Sequence, residues 1–292
     1  MRVTDGMRQT DALRSLSQLS ARHADATSRA LTGRSVGLPS SDPSAAAELV
    51  RNRAAQHRNE TAKEAASLVR SDLETAEGAL AEAGDLFQRA HEIAMQGANG
   101  TLNAEQRRDL GVEVGHIKTQ LLALANSKGS QGYLFGGTQV NTTPFAAGGV
   151  FSGDDNARVA DLGTGSPMAV SVSGERAFTA AGGRNVFADL DALETALSTN
   201  DQAGVGGTLS NLETSRKQIM SAQSDAGFKL ERITTTEAVM DRVTVTLAQH
   251  DEEVGGADPY AAYSDLVSLG QALEQAVAVS KRILDLGGLF RT

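Results

Sequence analysis

The side chains of this sequence that could do chemistry are few and scattered. His23, His57, His91, His116 and His250 have no mutual spacing that would gather them around a metal ion. His91-Glu92 opens like the helical zinc-hydrolase motif, in which a second histidine four positions on completes the metal face. Met95 stands at that position, so the pair reads as ordinary helix residues. Asp154-Asp155-Asn156 offers oxygen ligands for a hard cation, but the alternation and closing glutamate of a calcium loop are missing. A turn rich in Asp and Asn accounts for it. Gly163-Thr164-Gly165-Ser166 and Gly132-Tyr133-Leu134-Phe135-Gly136-Gly137 have glycines suited to a phosphate cradle, without the lysine and following helix that would complete it. No serine lies in a nucleophile elbow. With no cysteine, thiol catalysis, thiolate metal sites and disulfides are excluded. The sequence therefore reads as a non-enzyme, with no catalytic residues, no cofactor and no metal.

The elements that carry these residues are more informative. Residues 1–128 and 185–292 are rich in Ala, Leu, Glu and Arg with helical spacing, and residues 130–184 are rich in Gly, Ser, Thr and Val. From Ala62 the apolar positions run Ala66, Val69, Leu73, Ala76, Leu80, Ala83, Phe87, Ala90 and Ala94 in steps of three and four, the signature of a coiled-coil seam. Ser41-Asp42-Pro43-Ser44 supplies an N-cap candidate and a proline suited to the first turn of this helix, and Asn99-Gly100 closes it. A helix from about 44 to 98 would be roughly 80 Å long. Leu110, Val114, Ile117, Leu121 and Leu124 predict an antiparallel neighbour after a short turn. Phe187, Leu190, Leu193 and Leu197 predict a short helix over 186–198. A longer helix is expected from about 205 to 250, broken by Asp251–Pro259. Val170 and Val172, alternating with Ser171 and Ser173, predict a strand in a small β module.

The two ends form a pair of their own. Residues 260–286 carry Tyr263, Leu266, Gly270, Leu273, Val277, Ser280 and Leu284, widened by Leu269, Ala276 and Ile283. The segment 7–32 carries Leu13, Leu16 and Leu19. Neither stripe has a globular partner nearby in sequence. The expectation is that the ends pack on each other and on neighbouring subunits, and that alone in dilute solution they fray. Leu13, Leu16, Leu19, Leu266, Leu269, Leu273, Val277, Ile283 and Leu284 are the candidate assembly residues.

Composition agrees with a thin helical build. Apolar residues make up 40% and aromatics 4%, with no Trp, and alanine favours helices while burying little area per residue. The net charge of −9 is spread through mixed charges. Arg51, Arg53 and Arg58 are flanked by Glu48, Glu60 and Glu64, so nucleic acid is not an expected partner. The polar first residues lack the apolar core of a cleaved signal peptide, and no apolar run reaches membrane-spanning length.

The layout of helical ends around a Gly-rich middle resembles the bacterial flagellin family. The resemblance is carried by Leu31-Thr32-Gly33-Arg34 through Ala47, by Leu86-Phe87-Gln88-Arg89-Ala90 through Gly100-Thr101, by Gly132 through Gln139 with Pro144-Phe145 and Gly153-Asp154-Asp155, and by the stripe Leu273–Leu284. It implies a mainly α fold: a long antiparallel helical rod (41–129 and 185–257), coiled-coil terminal arms (1–40 and 258–292), and a small inserted β-rich outer domain (130–184). The segments near 42 and 132–155 lean toward members that join hook to filament; the alternative is a flagellin subunit of the filament itself. The resemblance further implies copies of the chain in a ring, a hook-side hook-associated protein and filament flagellin as partners, and a cytoplasmic export chaperone on the C-terminal helix. The implied location is the extracellular flagellum, reached by type III export without a cleaved signal peptide.

Overall fold

A computed structural model describes residues 5–35, 42–163, 165 and 167–289; the side chains of residues 5, 6, 8, 9 and 283–289 lie outside that description. The order of elements is α1 (Asp5–Thr32), α2 (Pro43–Gly97), α3 (Ala104–Ala125), β1 (Lys128–Gly129), β2 (Gly132–Tyr133), β3 (Val159–Ala160), β4 (Met168–Ala169), α4 (Gly174–Phe178), a 3-10 turn at Ala180–Gly182, α5 (Val186–Ser198), α6 (Gln202–Gly255) and α7 (Pro259–Leu289). The class read from the sequence, mainly α with a small inserted segment, is the class observed. The chain forms two compact units, Asn59–Arg242 and the two ends, Met1–Arg58 with Val243–Thr292. Helices α2 and α6 each contribute to both.

In the unit Asn59–Arg242 the predicted seam is the core. Ala66, Val69, Leu73, Ala76, Leu80, Ala83, Phe87, Ala90 and Ala94 are all buried. They pack with Val114, Ile117 and Leu121 of α3, with Leu190, Leu193 and Leu197 of α5, and with Leu212, Ile219 and Ile233 of α6. Polar pairs record the direction of packing: Asn59 donates to the Met240 carbonyl (3.0 Å) and Gln223 to Glu77 (2.6 Å), so α2 and α6 run antiparallel. Asn103 caps α3 in a reciprocal box with Gln106.

The inserted segment is less β-rich than its sequence predicts. Among the described residues its ladders are two antiparallel pairs of two residues each, Lys128–Gly129 with Gly132–Tyr133 and Val159–Ala160 with Met168–Ala169, besides a single bridge between Phe145 and Phe151. Val170 and Val172 lie beyond β4, and Ser171 between them is buried. Its polarity is satisfied inside: its hydroxyl accepts from Arg158 N (2.9 Å) and its carbonyl from Lys229 Nζ (2.9 Å). What organises this segment is aromatic. Phe145 lies 5.1–5.6 Å, centroid to centroid, from Phe151, Phe178 and Phe187, and Phe135 meets Phe178 edge-on at 5.3 Å. Gly149, at φ +72°, brings its backbone against the Phe187 ring, where a side chain has no room.

The terminal unit holds α1 against α7, and the start of α2 against the end of α6. Asn52 donates to the Leu247 carbonyl (2.8 Å), and His250 Nε2 lies 3.0 Å from Glu48. The predicted break after 250 falls later. Helix α6 continues through Gly255, whose bare backbone lets Leu49 pack closely, and ends where Ala257 N turns to the Gly33 carbonyl and the Gly255 carbonyl accepts from Ser35 N. Both Asp-Pro pairs act alike: Asp42 accepts from Ser44 N and Ala45 N at the start of α2, and Asp258 from Tyr260 N at the start of α7.

Candidate assembly site

Helices α1 and α7 are joined at one end by a short antiparallel bridge. Ser35 N donates to the Gly255 carbonyl and Ala257 N to the Gly33 carbonyl, both at 2.8 Å, with Arg34 opposite Gly256. Gly33 adopts φ +66°, the left-handed turn that lets α1 stop and the bridge begin. From there the helices run antiparallel in contact.

Burial along both helices follows the same three-four rhythm. On α1 Ala12, Leu16, Leu19, His23, Ala26 and Ala30 are covered in that rhythm, with Thr27 and Arg29 half-buried beside them; on α7 Ala262, Leu266, Leu269, Leu273, Ala276 and Ser280 are, with Gly270 and Ala272 beside them. Ala26 and Ala262 are fully covered, and the leucines are half-buried. Small residues flank the leucines at both ends of each stripe, which keeps the apolar area per layer low there.

The structure thus sorts the candidate assembly residues. Leu16, Leu19, Leu266, Leu269 and Leu273 face the seam between α1 and α7 of one chain. Leu13, at 53% exposure, and Val277, at 37%, are turned outward. Ile283 and Leu284 lie outside the described side chains. Exposed side chains absent from that candidate set, Tyr260 (88%), Tyr263 (67%), Val267 (43%) and Val279 (56%), also lie on α7. Helical geometry puts Tyr263, Val267 and Val277 within one flank of α7, beside the seam. Tyr263 and Val277 belong to a wide apolar stripe in the sequence, but a stripe does not say which edge is covered. Among the described residues no group of acidic and histidine side chains is placed to hold a metal, and no helix is long and apolar enough to cross a membrane. The arrangement offers an apolar surface for another helix.

Residues 3–140 match the family model of the bacterial flagellin N-terminal helical region. The match lies in the N-terminal part of the chain. Over a longer span the chain is similar to hook-associated protein 3: it is 28% identical to that protein of Salmonella typhimurium over 71% of this chain and 73% of the relative. It is 24% identical to the Escherichia coli protein over 88% of each. The crystal structure of Bacillus cereus FlgL superimposes with a TM-score of 0.62 at 21% identity, covering 69% of this chain and 99% of the other. That likeness establishes the shared helical fold. The relatives are structural proteins of the flagellum.

Proposed function

We propose that this chain is a structural adaptor of the bacterial flagellum, joining the hook to the filament, and that it acts by packing and has no catalytic role. The observation that carries the reading is the terminal pair: its seam is filled from within the chain, yet Leu13, Tyr263, Val267 and Val277 stay outside. Covering what remains exposed of such a valine against a neighbour contributes on the order of 1 kcal/mol. A ring of identical contacts multiplies that. The likeness to hook-associated protein 3 over most of the chain favours the junction over the filament.

In this reading copies of the chain form a ring, with a hook-associated protein on the hook side and flagellin on the filament side. The chain reaches the extracellular flagellum by type III export, without a cleaved signal peptide, after a cytoplasmic chaperone has covered the C-terminal helix. Of the nine terminal candidates for assembly, Leu13 and Val277 are the two whose described side chains are free to meet a neighbour, and the half-buried leucines act through the pair they build.

Immunogold labelling of intact flagella tests the placement. A narrow band between hook and filament is expected; label along the whole filament would replace this reading with that of a flagellin. Val277→Asp tests the surface. It is expected to abolish incorporation into flagella while the purified chain keeps its helical content by circular dichroism, and normal incorporation would remove Val277 from the interface.

A further inference from the structure

Within the unit Asn59–Arg242, the outward side of α6 exposes apolar side chains that its own core does not use. Phe228 is 76% exposed, and Val239, 41% exposed, follows on the same side of the helix. Thr235 lies between them and is exposed as well. The same side carries three cations, Lys217, Arg232 and Arg242, against one carboxylate, Glu231. Lys217 also reaches Glu213 at 3.5 Å, and Asp225, at the edge, is held by Lys229. An open aromatic ring with an arginine one turn away is the composition found at the centre of protein interfaces.

A surface of opposite sign lies on the other long helix of the same unit. The outward side of α2 carries Glu60, Glu64, Glu74, Glu82 and Asp85, all exposed. Arg70 holds Glu74 at 3.3 Å; among the described residues no ion pair holds the other four. The nearest cations are committed within the chain, Lys63 to Asp241 and Arg70 to Glu237. Gly78 stands among these carboxylates with nothing within 4 Å of where its side chain would be, and Leu68, 49% exposed, lies at their edge. The surface is therefore acidic, low at its middle and bordered by an apolar side chain.

We propose that the Phe228 face of α6 docks on the acidic side of α2 in a second copy of this chain. Charge selects that pairing: cations beside Phe228 meet carboxylates without a partner, whereas two acidic sides would repel each other. Both faces point outward, so neither satisfies the other within one copy. Each copy gives one face and receives the other, a heterologous contact that repeats from copy to copy and closes into a ring where the rotation allows. The inference deepens the proposed function and rests on its reading that copies assemble. It adds the faces through which they meet. Its test identifies the neighbour wherever the chain is found. Gold label along the whole filament would end the junction reading and leave this contact standing, and a narrow band with the wrong neighbour would do the reverse.

The experiment places a photoreactive benzophenone amino acid at position 228 of the full-length chain and irradiates isolated flagella. An adduct of twice the chain's mass is expected, with the cross-linked peptide falling within residues 60–85 of the second copy. An adduct with another flagellar protein overturns the proposal. So does one with a different face of a second copy, or none from flagella that contain the chain. Arg232→Glu in the same chain should lower the dimer adduct per flagellum by about fivefold or more, because a carboxylate would then face carboxylates. An unchanged yield overturns the pairing of these two faces. Positions 228 and 232 are both exposed, and retained helical content by circular dichroism checks that neither change unfolds the chain.

Discussion

Adjacent aspartates do separate work in the inserted segment. Asp154 accepts from the Thr138 hydroxyl (2.5 Å), from Thr138 N (3.1 Å) and from Asn156 N (3.0 Å), while Asp155 accepts from the Ser173 hydroxyl and from Arg176 at 3.0–3.1 Å. Both carboxyls titrate below their ordinary value of 3.8, held down chiefly by the Thr138 hydroxyl at Asp154 and by the Ser173 hydroxyl at Asp155. A carboxyl whose pKa is lowered by folding adds stability that is full above its unfolded value and is lost as pH falls through the folded one. Amide exchange around Thr138 and Ser173 is therefore expected to quicken below about pH 4. In an Asp154→Asn, Asp155→Asn variant that acid dependence should disappear, and a persisting one would place its origin elsewhere. Arg107 is the other residue whose role shows only in three dimensions. Although 95% covered, it donates to the carbonyls of Gly97 (2.9 Å) and Asn99 (3.0 Å) and to the Asn200 side chain (2.5 Å), closing the end of α2 onto the α5–α6 turn. Arg107→Ala should cost about 3 kcal/mol in urea unfolding, with little recovered by lysine, which cannot present the fork. Neither arrangement was legible in the sequence. A run of aspartates looks like any turn, and an arginine on a helix looks solvated until its acceptors are known.

At the scale of elements, legibility followed length. The 62–94 seam was readable because ten apolar positions in a three-four rhythm fit a long helix and little else, and the bounds expected for α2 and α5 agree closely with Pro43–Gly97 and Val186–Ser198. The strands were not readable, because two-residue ladders are too short for alternation to mean anything. The order of the inserted segment comes instead from phenylalanines far apart in sequence and from Gly149 lying against Phe187. Phe187→Ala, which removes a fully buried ring at the meeting of α5 with this cluster, is expected to cost about 3–5 kcal/mol. The denaturation midpoint of the purified chain measures it. A loss under about 1 kcal/mol would mean that the cluster collapses around the gap.

For the molecule as a whole, the two compact units differ in what fills them. Asn59–Arg242 has leucine, isoleucine and phenylalanine layers, whereas the α1–α7 seam is built largely of alanine with half-buried leucines. Hydrogen exchange of the isolated chain should show amides of α1 and α7 exchanging faster than those of residues 66–94, by roughly tenfold for each 1.4 kcal/mol of difference in opening free energy. Equal protection would give the terminal seam a stability its composition does not suggest. The apolar stripes announced that the ends would pair, but not which edge would remain open. Leu273 and Val277 look equivalent in sequence, and one turns inward while the other turns out. Hence Leu273→Asp should unfasten the pair and change the exchange of both terminal helices, whereas Val277→Asp should not.

The bridge at the base of that pair joins Ser35 to Gly255, 220 residues further along the chain. A contact between such distant positions forms late, because the intervening loop must close before either side gains anything. Helix α1 can find its partner only after nearly everything encoded downstream has arrived. A product that stopped before α7 would carry α1 with nothing to zip against, so closure of the seam reports that α7 has been made. Only a chain that holds both helices can present the paired surface.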